Sequence, residues 1–474
     1  MLGAFIDART VPSGTIVRAD LAIIGGGPAG IALAMALAST RLKVVLIERG
    51  DLRFDAKTRT PWNGCCRPLD AVDFEARTWV PYSGWPIAKK DIARYVAKAY
   101  ALCEAGELND DAISRWASPP LLPLGTGGIT THWLQFSQLR GTRRPIDFGE
   151  RYTADLKKIR RLKVYLQANV TRLGVNRSGS WITELTVATL TGKTFKVRPK
   201  AAVLALGAIE TARLMLASNA VEAAGVGNGH DQVGRFFADH PCPRDAATLV
   251  KFDGKIAPYY LGNQTIHGAT VRAGLFPSEA FRRDHERLAA AVTVEGNLAL
   301  DDFGKAAVAA TANALGVDAR NAAAHALNGA IEIAPDPDRR VTLTRERDAL
   351  GVPKVKPHPK IAETDFANFR ATLKELGRQL LESRTGMIRL NWHSHDEWLA
   401  HLGWANHPMG TTRMSADPKT GVVDATLKVH GVGNLYVASS SVFPTYGATD
   451  PFVTLIALSL RLADHLKGAQ HWGP

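Results

Sequence analysis

The chain has 474 residues, 46% of them apolar and 22% charged, an ordinary globular composition that excludes a disordered or fibrous protein. Its length predicts two domains, or one nucleotide-binding fold with a large insertion. Lysine and arginine outnumber aspartate and glutamate, 58 against 45. The cations are scattered (Arg140 to Arg144, Lys157 to Lys163, Arg282–Arg283, Arg339–Arg340) rather than gathered into a nucleic-acid footprint, so a solvated basic surface is expected and no nucleic-acid partner.

In chain order, Met1 to Asp20 lacks the basic start and apolar run of a secretory signal. Leu21-Ala22-Ile23-Ile24 reads as a short buried strand, Ala29 to Ser39 as a small-residue helix and Lys43 to Ile47 as a second strand. The apolar stretch Leu21 to Ala38 is no membrane span, because five glycines or prolines crowd its first half. Cys65, Cys66, Cys103 and Cys242 form no CxxC pair, a pattern suited to a reducing compartment. A cytoplasmic protein without an integral membrane segment is therefore expected.

Pro81 to Pro86 is a Pro/Gly/aromatic loop, followed by a helix whose apolar stripe is Ile92, Tyr95, Val96, Ala99, Tyr100 and Cys103. A helix Glu150 to Arg160 and strands Val164 to Ala168 and Ala201 to Leu206 precede a helix Ile209 to Ala217. Glu286 to Ala330 is alanine-rich and predicts helix in part, and Arg340 to Leu343 alternates like a strand. Phe366, Phe369, Leu373, Leu376 and Leu380 mark one helical face. Strand Leu435 to Ala438 then leads through a loop into helix Phe452 to His465.

The strongest local signal is Gly25-Gly26-Gly27-Pro28-Ala29-Gly30, a GxGxxG between a strand and a helix. Gly25 permits the tight turn, Gly27 lets backbone N–H groups approach a pyrophosphate, and Gly30 lets helix and sheet pack closely. Glu48 closes the next strand 18 residues past Gly30, where a carboxylate can accept from an adenosine ribose. The pattern predicts an unphosphorylated dinucleotide, NAD or FAD, and leaves the two open. A second GxGxxG, which a pyridine-nucleotide-dependent flavin reductase or monooxygenase would need, is not found.

Further on come Asn406-His407-Pro408-Met409-Gly410-Thr411-Thr412-Arg413-Met414, Val429-His430-Gly431-Val432-Gly433-Asn434-Leu435-Tyr436-Val437-Ala438 and Ser441-Val442-Phe443-Pro444-Thr445. With Gly84-Trp85-Pro86, Leu206-Gly207-Ala208-Ile209-Glu210-Thr211, Gly234-Arg235-Phe236-Phe237 and Pro335-Asp336-Pro337, the chain resembles glucose-methanol-choline oxidoreductases over nearly its whole length. The resemblance implies an α/β protein: a Rossmann-type FAD-binding domain assembled from residues 1–60, 148–218 and 425–474. An inserted α+β substrate domain with an antiparallel sheet would comprise 61–147 and 219–424. It implies FAD held by Gly25, Gly27, Pro28, Ala29, Gly30, Glu48 and Arg49, with Val170 and Ala208 near the adenosine half. Trp62, Asn63, Ser439, Ser440, Asp450, Pro451 and Phe452 would complete the site. His407 falls on the family's catalytic histidine, a base taking a substrate hydroxyl proton while hydride leaves for flavin N5. The substrate implied is a sugar, amino sugar or polyol, with oxygen, a quinone or a redox protein as electron acceptor.

The sequence departs from the family in two places. Asp450 stands where relatives carry Asn or His; beside His407 a carboxylate is expected to raise the imidazole pKa. The Gly-Gly segment that precedes the tryptophan run of relatives is missing before Pro61-Trp62-Asn63-Gly64. These departures keep a second reading open, a flavin-deficient relative acting as a binding or scaffold protein. His393, His395, Asp396 and His401 are too loosely spaced for metal, and His240 reads as structural. Trp392, Trp398 and Trp404 read as core ahead of a sugar-stacking wall.

Overall fold

A computed structural model describes residues 4–51, 62, 64–106, 115, 117–118, 120–125, 127–137, 145–266 and 268–468. In its first sheet Ala4–Asp7, Leu162–Leu166, Val44–Ile47, Ile16–Ile24 and Thr194–Leu204 lie side by side in parallel. Leu435–Val437 joins the carboxyl half of Thr194–Leu204 in parallel, while Ile182–Ala188 and Asn169–Val175 extend antiparallel from its amino half. Strands covered on both faces carry unbroken apolar runs, and Leu21 to Ile24, Val44 to Ile47 and Ala201 to Leu204 are all buried.

Parallel pairing brings the carboxyl ends of these strands to one edge. The turns Gly25 to Gly27, Glu48 to Gly50, Ala205 to Gly207 and Ala438 to Ser440 therefore converge, and crevices at such an edge are where open α/β sheets bind ligands. Backbone bonds lock the convergence: Ala205 N–H to the Ile24 carbonyl at 2.7 Å, Ala438 N–H to that of Leu204 at 2.8 Å, and Ala168 N–H to that of Glu48 at 2.9 Å. Helix Pro28–Ala36 leaves the first turn; helix Phe452–Gly468 packs with helix Lys90–Cys103, where Tyr95 Oη donates to Asp464 Oδ2 at 3.0 Å.

The second sheet is antiparallel, in the order Gly386–Leu390, Ala247–Lys251, Ala323–Ile331, Ala290–Leu298, Ala269–Pro277, Ile129–Phe136 and Cys65–Cys66. Helix Glu363–Glu382 lays Phe366, Phe369, Leu373, Leu376 and Leu380 against it. The alanine-rich stretch is helical over Asp302–Leu315, capped by Asp301 and closed by left-handed Gly316, but its flanks are strands. Alanine favours helix locally, yet Gly329 must lie where a Cβ would come 2.6 Å from the Phe369 ring. Close packing between strand and helix therefore overrides propensity. Among the described residues no helix is long and apolar enough to cross a membrane.

Candidate active site

A cavity of about 790 Å³ opens along the converging strand ends. Its lining includes Gly25, Gly27, Pro28, Ala29, Glu48, Arg49, Val170 and Ala208, and also Trp62, Ser439, Ser440, Pro451, Phe452 and His407. Gly30 stands behind the wall, where a Cβ would come 2.0 Å from the Gly25 carbonyl oxygen. Gly25 has φ +110°, and a Cβ there would lie 2.3 Å from the Ala205 carbonyl. Both positions exclude a side chain. Gly27 caps helix Pro28–Ala36 without a side-chain bond, and no acidic residue occupies the first turn. The first N–H groups of that helix consequently face the cleft as uncapped donors.

Glu48 is clamped by two backbone donors, Gly26 N–H to Oε2 at 2.6 Å and Gly50 N–H to Oε1 at 2.7 Å. Each carboxylate oxygen retains capacity for a second bond. Trp62 stacks on Phe452 with centroids 4.2 Å apart, its Nε1–H donating to the Ile146 carbonyl at 2.9 Å. Asn63 and the stretch 52–61 lie outside the described residues.

His407 sits in a loop zipped to the segment Ala238 to His240. Met409 N–H bonds the Ala238 carbonyl at 2.8 Å, and Asp239 Oδ1 accepts from His407 N–H at 2.8 Å and His240 N–H at 2.7 Å. Ser440 Oγ donates to the Pro408 carbonyl at 2.8 Å, joining this loop to the strand end at Val437. The two imidazoles approach with Nδ1 to Nδ1 at 3.3 Å, and His407 Nε2 lies 3.6 Å from Asp450 Oδ1. Asp450 does not line the cavity itself but backs onto its histidine.

The expectation that Asp450 raises the His407 pKa is overturned. Burial, followed by His240, pushes it down to about 3; desolvation of the imidazolium outweighs a carboxyl at 3.6 Å. Burial likewise lowers His240 to about 4, and raises Asp239 to about 6 against its backbone N–H donors. Cys65, packed against Asp450, is driven well above the usual thiol range by burial first and then that carboxyl, and Cys242 goes up to about 12. Neither thiol is an available nucleophile. What remains is a neutral imidazole able to accept a proton.

Acid should therefore weaken the fold. Between pH 6.5 and about 4 the unfolded chain protonates both histidines while the folded chain does not, so their contribution is full above 6.5 and lost as pH falls. Asp239 works in the opposite direction below about 6, offsetting part. The net expected loss from pH 7 to 5 is on the order of 2 kcal/mol, read as a drop in Tm that the variant His407→Gln makes shallower. A Tm independent of pH over that range would refute the burial argument.

Sequence reasoning missed Asn406 and Pro408 in the lining, the Asp239 clamp, and the His240 contact. The stretch Asp239-His240-Pro241 was a visible signal, but nothing local ties it to a residue 167 positions away. Trp398 is fully buried and Trp392 is buried and stacks on His401, as expected of core, but Trp404 is exposed, against its reading as core. Among the described residues no three His, Cys, Asp or Glu side chains group closely enough to hold a metal.

Comparison with known proteins adds three kinds of likeness. A family model described as GMC oxidoreductase matches residues 335–459, and one described as pyridine nucleotide-disulphide oxidoreductase matches 19–241. The large subunit of fructose dehydrogenase from Gluconobacter japonicus is 26% identical over 273 residues, 57% of this chain and 47% of that protein. Paromamine 6'-oxidase from Streptomyces fradiae is 32% identical over 141 residues, 28% of this chain and 24% of that protein. The matches thus span about half the length of the first relative and a quarter of the second. Pyridoxine 4-oxidase from Mesorbium loti shares the fold, with a TM-score of 0.57 at 18% identity over 95% of this chain and 100% of that one.

Proposed function

Because the chain belongs to the glucose-methanol-choline oxidoreductase family, we propose that it oxidises an alcohol group of a sugar, amino sugar or polyol with FAD as cofactor. The observation that carries this reading is one cavity lined by both the GxGxxG turn and His407. FAD fits the residues present: uncapped helix N–H groups suit a pyrophosphate, and the clamped Glu48 suits a ribose. When bound it supplies the hydride acceptor. Gly25, Gly27, Pro28, Ala29, Glu48 and Arg49, with Val170 and Ala208, hold its adenosine diphosphate half. Trp62, Ser439, Ser440, Pro451 and Phe452 border the rest. Residues 1–60, 148–218 and 425–474 form the FAD-binding domain, and 61–147 with 219–424 the substrate domain.

His407 Nε2 takes the hydroxyl proton. Its neutral form is ready at working pH, but burial makes it hold a proton weakly. A carboxyl facing it at the moment of transfer offsets that, and Asp450 Oδ1 is so positioned. Asp450→Asn is expected to slow alcohol oxidation about tenfold to a hundredfold, the worth of a charge-assisted contact; an unaltered rate would remove Asp450 from the mechanism. An amino sugar belongs among the substrates because a carboxyl here can also meet an ammonium group.

The test is an absorbance spectrum of the purified protein followed by anaerobic titration with sugars, cyclitols and amino sugars. A flavin spectrum that one of them bleaches supports the reading, and oxygen uptake against quinone reduction then identifies the acceptor. Protein that stays colourless after FAD is supplied would instead support the binding or scaffold reading. Gly30→Ala should weaken FAD retention about tenfold or more, since its Cβ collides with the Gly25 carbonyl that shapes the turn. Equal flavin-to-protein ratios before and after dialysis would contradict it.

A further inference from the structure

We infer that His240 is a positioning residue that locks His407 in the tautomer with a bare Nε2. The functional meaning of that lock rests on the reading above; the tautomer itself does not. The argument starts from the Gly447 carbonyl oxygen, 3.1 Å from His240 Nε2. A carbonyl can only accept, so this nitrogen carries a hydrogen. A neutral imidazole has one N–H, which leaves His240 Nδ1 a lone pair. His407 Nδ1 faces that lone pair at 3.3 Å. Two lone pairs would repel at this distance, so the hydrogen of His407 sits on Nδ1. Its Nε2 is left unprotonated, since Asp450 Oδ1 at 3.6 Å lies beyond hydrogen-bond reach and competes less for the hydrogen than the closer His240 Nδ1.

The chain of bonds is anchored at both ends. Gly447 has φ +59°, and a Cβ there would come 2.8 Å from Asp73 Oδ2. Two residues earlier Thr445 Oγ1 donates to the Asp73 carbonyl at 2.6 Å and accepts from Trp85 Nε1–H at 3.0 Å. The Gly447 carbonyl therefore has little freedom to turn away. The His240 ring stands edge-on to Tyr446 with centroids 5.2 Å apart, and Tyr446 Oη is tied to Ile333 N–H and carbonyl at 3.1 Å each. Burial keeps both imidazoles neutral near pH 7, as the inference needs.

The same geometry says what His240 does not do. When His407 gains a proton on Nε2, its Nδ1–H still donates to His240 and nothing has to rearrange. A proton cannot travel onward, because the chain ends on a carbonyl that cannot be protonated at ordinary pH. His240 orients the base and sets its tautomer without shuttling the proton.

The experiment is a long-range ¹H–¹⁵N correlation spectrum of the FAD-loaded protein labelled with ¹⁵N-histidine, assigned from the spectra of His407→Gln and His240→Gln. Expected at pH 7 are a bare Nε2 and protonated Nδ1 on His407, and the reverse on His240. His240→Phe keeps the ring volume but removes both nitrogens; His407 should then become a mixture of tautomers, and kcat should fall about tenfold with KM nearly unchanged. His240→Gln can offer N–H to Gly447 and its amide oxygen to His407, and should recover most of the loss. A proton on His407 Nε2 in the unmodified protein overturns the inference, as does an unchanged single tautomer in His240→Phe. Should His240→Phe fail to fold, the spectrum of the unmodified protein decides. If the tautomers are as stated but no alcohol bleaches the flavin, the enzymatic reading falls and the role of His240 in setting the tautomer stands.

Discussion

His407→Ala is expected to slow substrate-driven bleaching of the flavin by about 10²- to 10⁴-fold while bound FAD stays at the level of the unmodified protein. The two effects are expected to separate because Glu48, proposed to grip the dinucleotide, is held by the Gly26 and Gly50 N–H groups and not by His407. His407 is also held by its backbone, through N–H to Asp239 and the Met409–Ala238 pair, so truncating its ring leaves the loop in place. What disappears is a neutral proton acceptor lining the cavity, while both nearby thiols are held protonated. Stopped-flow reduction under anaerobic conditions measures the loss. A rate within a factor of about three of the unmodified protein, well below the usual contribution of a positioned base, would transfer the role elsewhere.

The second large effect concerns stability, at a buried ionic cluster beneath the loop that carries Asp450. Arg77 makes a two-pronged contact to Glu332, Nη2 to Oε1 at 2.7 Å and Nη1 to Oε2 at 3.2 Å. Arg282 Nη2 bonds Asp73 Oδ1 at 2.5 Å and reaches Glu332 Oε2 at 3.5 Å. All four side chains are at most 2% exposed. Burial pushes the Glu332 carboxyl up, but Arg77 and then Arg282 pull it down further, to about 2.

Two guanidiniums balance two carboxylates, so Glu332→Ala would strand a cation in the interior. The expected cost is about 3–5 kcal/mol, visible as a large drop in Tm. The double variant Arg77→Met with Glu332→Met removes both charges, keeps most of the volume and should regain much of that stability. A Glu332→Ala protein within about 1 kcal/mol of the unmodified one, a typical surface-pair effect, would mean that water enters the cluster. Because Asp73 also abuts Gly447 and Thr445, the single variant should disturb the His240 anchor as well.

How much of this was legible beforehand depended on the range of the interaction involved. The nucleotide turn could be read because its glycines form one contiguous pattern; Gly30 meets the Gly25 carbonyl within that unit, whereas Gly25 meets Ala205 at the end of an adjoining strand far along the chain. The buried parallel strands could be read because a strand covered on both faces must be apolar throughout. The helical stripe Phe366 to Leu380 could be read from its period alone. The alanine-rich stretch was legible only in its capped middle, since nothing nearby announces that Ala323–Ile331 must fit beneath Phe369.

The surroundings of His407 were legible as a set of candidate residues but not as an electrostatic environment. From sequence, Asp450 beside His407 argues for a raised pKa; in the fold, burial reverses the sign. Desolvation depends on every group packed around the ring, and those come from segments hundreds of residues apart. The histidine pair shows the same limit: His240 and His407 meet only because Asp239 draws two loops together. The amino-acid sequence by itself thus made the nucleotide turn and the apolar strands legible, because each shows in a short contiguous pattern, and it singled out His407 only through a resemblance. Only the tertiary structure decided that histidine's charge, partner and tautomer, because these come from dielectric burial and hydrogen-bond direction, which exist only once distant segments have packed.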